Sequence, residues 1–115
     1  MSHAEGYGSL AIGESAHAEG NETVASGKEA HTENHGAKAY GNFSHAEGAN
    51  TFAYSESNHA EGYGSKAGKE GSVSGGYWAA HAEGRNTVAE GHAAHSEGYQ
   101  SKALNDAAHA EGYST

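Results

Sequence analysis

The sequence predicts an all-β protein, a parallel β-roll (β-solenoid) built from 14-residue repeats. Three observations lead there. His recurs at positions 3, 17, 31, 45, 59, 81, 95 and 109, with spacings of 14, 14, 14, 14, 22, 14 and 14. Glu stands two residues after each of them, and Gly follows the Glu in seven of the eight units, Asn34 being the exception. Along each unit, small and larger side chains alternate with the two-fold period of a strand.

The first unit, His3 to Ala16, shows the elements in order. Ala4 shares one strand face with Ser2, while His3 and Glu5 share the other. Gly6, Tyr7 and Gly8 are read as a turn. In a second short strand, Ser9 and Ala11 share the small face and Leu10 and Ile12 the opposite one. Gly13, Glu14 and Ser15 make the second turn. The small face is placed inside a flat coil whose turns stack about 4.8 Å apart. Gly is expected to supply the left-handed conformations at the corners. Helix is excluded because Gly recurs every few residues, at up to ~1 kcal/mol each.

Composition alone points the other way. Leu, Ile, Val and Phe number only eight in 115 residues, and the formal charge is −9, a balance typical of disorder. Strict periodicity overrides it. An interior of Ala, Ser and Thr buries little apolar area against chain entropy, so self-association with closed symmetry is expected. Cys is absent, excluding disulfides and thiol chemistry. Five Lys and Arg85, scattered along an acidic chain, argue against nucleic acid. Met1 and Ser2 lead straight into the first repeat, with no signal peptide and no apolar run long enough to span a bilayer. Residues 1–115 are therefore expected to be a single roll domain from a longer protein, interrupted by an insertion within 69–78.

Ser9-Leu10-Ala11-Ile12-Gly13-Glu14-Ser15 resembles the Asn-Ser-Val-Ala-Ile-Gly-x-x-Ser repeat of YadA-like trimeric autotransporter adhesin heads, and the Ser-His-Ala-Glu-Gly units at 2–6 and 44–48 look like related head repeats of bacterial surface proteins and phage tail or neck-appendage fibres. The resemblance runs along essentially the whole chain. It implies a left-handed roll, a homotrimer, and attachment to a host cell or matrix surface through a protein or glycan. The location it implies is a bacterial cell surface or a virion tail, where the alternative role is a passive shaft or receptor-binding fibre segment. Only the first unit keeps two aliphatics at the Val/Ile positions; later units carry Lys38 and Tyr40, Phe52 and Tyr54, Lys66 and Gly68, or Lys102 and Leu104.

The eight pairs His3/Glu5, His17/Glu19, His31/Glu33, His45/Glu47, His59/Glu61, His81/Glu83, His95/Glu97 and His109/Glu111 are the chemically suggestive residues. A catalytic site is usually unique, so eight copies are read as architecture: a hydrogen-bonding ladder lying against neighbouring subunits. No catalytic residue, cofactor or metal is assigned, and the chain is read as non-enzymatic. Ten His predict sensitivity to acid. The 22-residue interruption is read in two ways: a loop that presents Tyr77 and Trp78 to a glycan or protein, aromatic side chains being common binding anchors, or a loop that folds back and caps a weak point in the roll. Tyr7, Tyr63, Tyr99 and Tyr113 share one position of the repeat and are expected to form a partial stripe along an edge. Hexapeptide-repeat acyltransferases repeat every 18 residues, calcium-binding nonapeptides need more Asp than Asp106 alone, and ice-binding rows need more Thr; none fits.

Overall fold

The computed structural model describes residues 1–72 and 78–115, and the chain winds through them as a flat coil measuring 38 × 24 × 15 Å. One face is an eight-stranded parallel sheet of five-residue strands: β1 (His3–Tyr7), β3 (His17–Asn21), β5 (His31–His35), β7 (His45–Ala49), β9 (His59–Tyr63), β11 (His81–Arg85), β13 (His95–Tyr99) and β15 (His109–Tyr113). The other is a seven-stranded parallel sheet of two-residue strands: β2 (Leu10–Ala11), β4 (Val24–Ala25), β6 (Lys38–Ala39), β8 (Phe52–Ala53), β10 (Lys66–Ala67), β12 (Val88–Ala89) and β14 (Lys102–Ala103). Each strand pairs with its equivalent in the adjacent turns, so that His3 faces His17, Ala4 faces Ala18 and Glu5 faces Glu19. The 22-residue unit keeps this register, with His59 opposite His81 and Lys66 opposite Val88. The parallel roll predicted from the period is thus observed.

The interior between the sheets is as small as the alternation requires. Ala18, Ala25, Ala39, Ala46, Ala60 and Ala82 are fully buried in one continuous cluster. A row of hydroxyls runs beside it. Thr23 donates to Ser9 at 2.9 Å, and Ser9 donates to the Gly20 carbonyl at 3.0 Å. Thr87, Ser65 and the Gly84 carbonyl repeat the arrangement at 3.0 Å for each bond. These bonds satisfy buried hydroxyls while tying one turn to the next.

The corners correct the expected division of labour among residues. Gly6 and Tyr7 belong to β1 rather than to a turn; the chain bends after them, at Gly8. Left-handed corner positions are filled by Ser15 (φ 57°), Glu29 (54°), Phe43 (58°) and Ala93 (55°) as well as by glycine. Gly13, Gly27, Gly41 and Gly91 serve another purpose. A Cβ on Gly27 would lie 1.9 Å from the Gly41 carbonyl oxygen, and one on Gly41 would lie 2.1 Å from Ser55 backbone atoms. The backbone of the following turn occupies the space a side chain would need.

Residues at this corner depart from glycine where the stack is interrupted. At Ser55 the insertion displaces the next corner, and the Ser55 hydroxyl meets that of Ser72 at 2.9 Å. Asn105 occupies the last corner of the 115 residues. Ala67 and Gly68 still hold the regular path, since Gly68 N–H donates to the Ala89 carbonyl at 2.7 Å. The regular path resumes at Trp78 and Ala79, whose φ of 57° matches the other corners. Asn58 bridges the gap. Its side-chain NH2 donates to the Ala67 carbonyl at 3.1 Å, and its side-chain oxygen accepts from Ala80 N–H at 2.8 Å. In neighbouring turns the equivalent N–H donates to a corner glycine carbonyl, as Ala94 does to Gly91 at 3.1 Å. A Cβ on Gly68 would lie 2.2 Å from the Asn58 amide nitrogen, so Asn58 and Gly68 belong together.

Gly27→Ala is expected to lower unfolding free energy by more than ~2 kcal/mol through overpacking against backbone, whereas Asn105→Gly should change it by less than ~0.5 kcal/mol. Asn58→Ala, which leaves the buried Ala80 N–H without its acceptor, should cost about 1–3 kcal/mol. Denaturant unfolding at one fixed protein concentration measures all three.

Candidate functional site

The in-register sheet turns the His-x-Glu unit into two parallel rows on the outer face of the long strands. His and Glu stand two residues apart and therefore project on the same side. The eight imidazoles form a continuous column, with centroid separations running from 5.1 Å for the edge-on pair His3–His17 through 4.7 Å for the stacked His31–His45 to 5.0 Å for the stacked His95–His109. Each carboxylate named here lies beside its imidazole: His45 Nε2 is 3.5 Å from Glu47, His59 is 3.4 Å from Glu61, and His81 is 3.5 Å from Glu83. The ladder read from the sequence is therefore formed, as a half-exposed surface of the single chain; His45 and Glu47 side chains are 34% and 29% accessible.

The two end rungs are more open than the inner ones. Glu111 keeps its place beside His109, at 3.4 Å, but its side chain is 67% accessible and that of His109 58%. His3 and Glu5 at the other end are 63% and 62% accessible. The physical reason is that each end rung is flanked by one turn instead of two: β15 pairs only with β13, and β1 only with β3. At Glu111 it is the backbone that is tied down, its carbonyl accepting from the Thr115 hydroxyl at 2.9 Å. Within the chain, Glu111 is thus a solvent-facing carboxylate rather than a packed ladder residue.

The hydrogen bonding of the ladder is incomplete. His3 and Glu5 bond at 3.1 Å. The Nε2 atoms of His17, His31, His45, His59, His81 and His95 are shut off from solvent but have no hydrogen-bond partner. Their carboxylate contacts are close without being aligned as hydrogen bonds.

Electrostatics follow from the stacking. Burial holds the His45 imidazole below its ordinary range, helped by the neighbouring His59 and His31 and opposed by Glu33. Burial likewise depresses His81, with His59 and His95 adding to the effect and Glu83 opposing it. Adjacent carboxylates also interact. Glu97 is held above its usual range chiefly by its hydrogen bond with Glu83, and Glu111 on its other side adds to the rise. Hydrogen bonds to Glu61 and Glu97 hold Glu83 below.

The second predicted site lies at the insertion. Tyr77 falls outside the described residues. Trp78 occupies the middle corner position of its turn, equivalent to His92 in the next, and is 48% exposed, with its ring edge-on to His92 at 5.6 Å. It is thus part packed and part presented to solvent. Residues 69–72 of the insertion lie back on the short-strand face. There Tyr54 is only 6% exposed, and burial, then Glu70 and Tyr40, push its phenol up to about 12. The edge stripe also forms in part. Arg85 lies 5.6 Å from both Tyr63 and Tyr99, and Tyr99 stacks on Tyr113 at 4.9 Å. Tyr7 is separated from this run by Asn21, His35 and Ala49 at the same repeat position.

On the short-strand face, Lys38 and Lys66 flank the Phe52 ring at 5.6 and 5.9 Å. Leu10, Ile12 and Leu104 stand there 53%, 66% and 52% exposed. Sequence reasoning places these side chains outside the coil, but it misses the roles of Asn58 and Ser55. Their signal is a departure from Ala and Gly at equivalent repeat positions immediately before the 22-residue spacing.

The depressed His pKa values set the sign of the pH response. Unfolded imidazoles, near pKa ~6.5, take up protons before His45 and His81 of the fold do. The unfolded state then binds more protons as pH falls through that range, and stability declines. The melting temperature is expected to be lower at pH 5 than at pH 7.5 in chelator-containing buffer; equal values would contradict burial of neutral imidazoles.

The family model described as "YadA head domain repeat (2 copies)" matches residues 4–30. No curated protein matches the chain. The matched segment spans β2, β3 and β4, and the later turns repeat its strands in the same register. The match covers the first two units directly, and the later turns are similar to them in strand pattern and register.

Proposed function

We propose that this roll is the head of a trimeric autotransporter-type adhesin, non-enzymatic, displayed at a bacterial cell surface, where it attaches to a host cell or matrix component. The observation carrying this reading is the two-copy match to the YadA head repeat at residues 4–30, continued by turns of one register to the C-terminal strand. The match is to an adhesin repeat, which favours the bacterial surface over a virion tail. Repetition of the His/Glu unit along the whole roll argues for architecture over catalysis.

Homotrimer formation follows from the shortage of buried apolar area, because a core of Ala, Ser and Thr leaves large side chains outside. Two faces compete for the subunit contact. The sequence expectation places the His/Glu ladder there. The exposed Leu10, Ile12 and Leu104, with the half-covered Phe52, concentrate apolar area on the short-strand face instead, and covering that face removes more of it from water. We favour the short-strand face.

Light scattering coupled to size exclusion is expected to give three times the chain mass. The double variant Leu10→Glu with Ile12→Glu should shift that mass toward one chain, while Glu19→Gln with Glu47→Gln should leave it unchanged; the reverse pattern would move the contact to the ladder. Attachment is tested by binding of the chain to host cells and a glycan array. Trp78→Ala should weaken binding at least about ten-fold, the scale of losing one aromatic anchor, with mass unchanged. Unaltered binding would return Trp78 to packing against His92. Absence of binding by the parent would leave a spacer role.

A further inference from the structure

The His/Glu ladder brings together mixed nitrogen and oxygen donors across successive turns. Among the described residues, four equivalent groups arise: Glu19, His31 and Glu33; Glu33, His45 and Glu47; Glu47, His59 and Glu61; and Glu61, His81 and Glu83. A fifth comprises His95, Glu97 and His109. In each group one donor atom from every residue lies within 4.8 Å of the others. We propose that these inter-turn groups bind divalent transition-metal ions of the zinc, nickel and cobalt class.

Three features carry the inference. The first is geometry. Metal–ligand bonds of about 2.0–2.2 Å in a tetrahedron separate neighbouring donors by roughly 3.4 Å. His59 Nε2 lies 3.4 Å from Glu61 and 4.0 Å from Glu47 of the preceding turn. Small rotations of part-exposed Glu side chains close the difference, leaving a fourth position for water. The second feature is the unfilled bonding capacity of the imidazoles. Nε2 of His31, His45, His59 and His81 is shielded from water but lacks a hydrogen-bond partner, while facing the carboxylate row. A bound cation supplies the missing partner. The third is charge. Eight carboxylates stand in register about 4.8 Å apart in a chain of formal charge −9, and like charges directly opposite on neighbouring strands repel. Imidazole with carboxylate selects zinc, nickel or cobalt over magnesium and calcium, which prefer all-oxygen sites. Ions in adjacent groups repel one another, so alternate groups fill first.

The proposal goes beyond the adhesive reading and does not depend on it. The test uses the untagged chain, stripped with chelator and titrated calorimetrically with zinc chloride at pH 7.5. At least two ions per chain are expected, with proton release and a raised melting temperature. Magnesium chloride should produce neither. The triple variant Glu33→Gln, Glu61→Gln and Glu97→Gln touches all five groups with isosteric side chains. It should bind zinc at least about ten-fold more weakly, a loss on the scale of one ligand-shell change, while circular dichroism reports the same fold. His35→Gln with His92→Gln, both off the ladder, should bind as the parent does. No zinc uptake by the parent would overturn the proposal. So would equal response to magnesium, undiminished binding by the triple variant, or loss of binding in the off-ladder variant. If the triple variant alters the fold, His59→Gln with His81→Gln, which breaks two of the five groups, should lower the number of zinc ions bound, and an unchanged number would overturn the proposal.

Discussion

Successive turns of this roll lie one strand spacing apart, so each residue faces its own counterpart in the turns before and after. Backbone hydrogen bonding imposes that spacing, and every other feature must fit it. The corner glycines show how tightly: a methyl group at Gly13 or Gly27 would fall 1.9 Å from the next turn's carbonyl oxygen. Here glycine is selected by what lies beyond it, while the left-handed corner position nearby accepts Ser15, Glu29 and even Phe43. At this corner conformational freedom and close approach fall on different residues, whereas Gly6, with φ 101° and the Gly20 carbonyl oxygen 1.9 Å from where its Cβ would be, combines them.

The same spacing converts a sequence unit into a surface. One His-x-Glu is an ordinary pair on a strand. Eight in register give a column of imidazoles beside a row of carboxylates, and neighbours above and below perturb members such as His45 and Glu83. His45 is depressed by burial and by His59 and His31, and Glu83 and Glu97 move in opposite directions because they share a hydrogen bond. Glu111, with a turn on one side only, shows the contrast: it stands in solvent. Repetition thus creates both an electrostatic strain and a set of donor groups spanning adjacent turns. Neither exists in an isolated unit.

The interruption after Gly68 shows what the roll tolerates. Residues can be inserted at a corner if the neighbouring turns are re-stitched, and Asn58 does this through both ends of its amide. Gly68 leaves the room that Asn58 needs. Glu70 lies near Tyr54 on the short-strand face, while Trp78 re-enters the corner row against His92. The proposed attachment point and a structural repair therefore occupy the same turn.

Period and side-chain size, read along the chain, are enough to establish the parallel roll, its 14-residue turn, the small interior of Ala18, Ala25 and their equivalents, and the shared face of each His and Glu. All of these are local properties of a strand that stacks on copies of itself. The break in the period likewise locates the interruption. Other features required the folded chain: that β1 runs on through Gly6 and Tyr7, that the corner glycines answer to overlying backbone, and that Asn58 spans the insertion. So did the unmatched nitrogens of the inner imidazoles and the exposure of Glu111 at the last rung. Each of these depends on distances between atoms in different turns, to within a few tenths of an ångström, and a one-dimensional period carries no such distances.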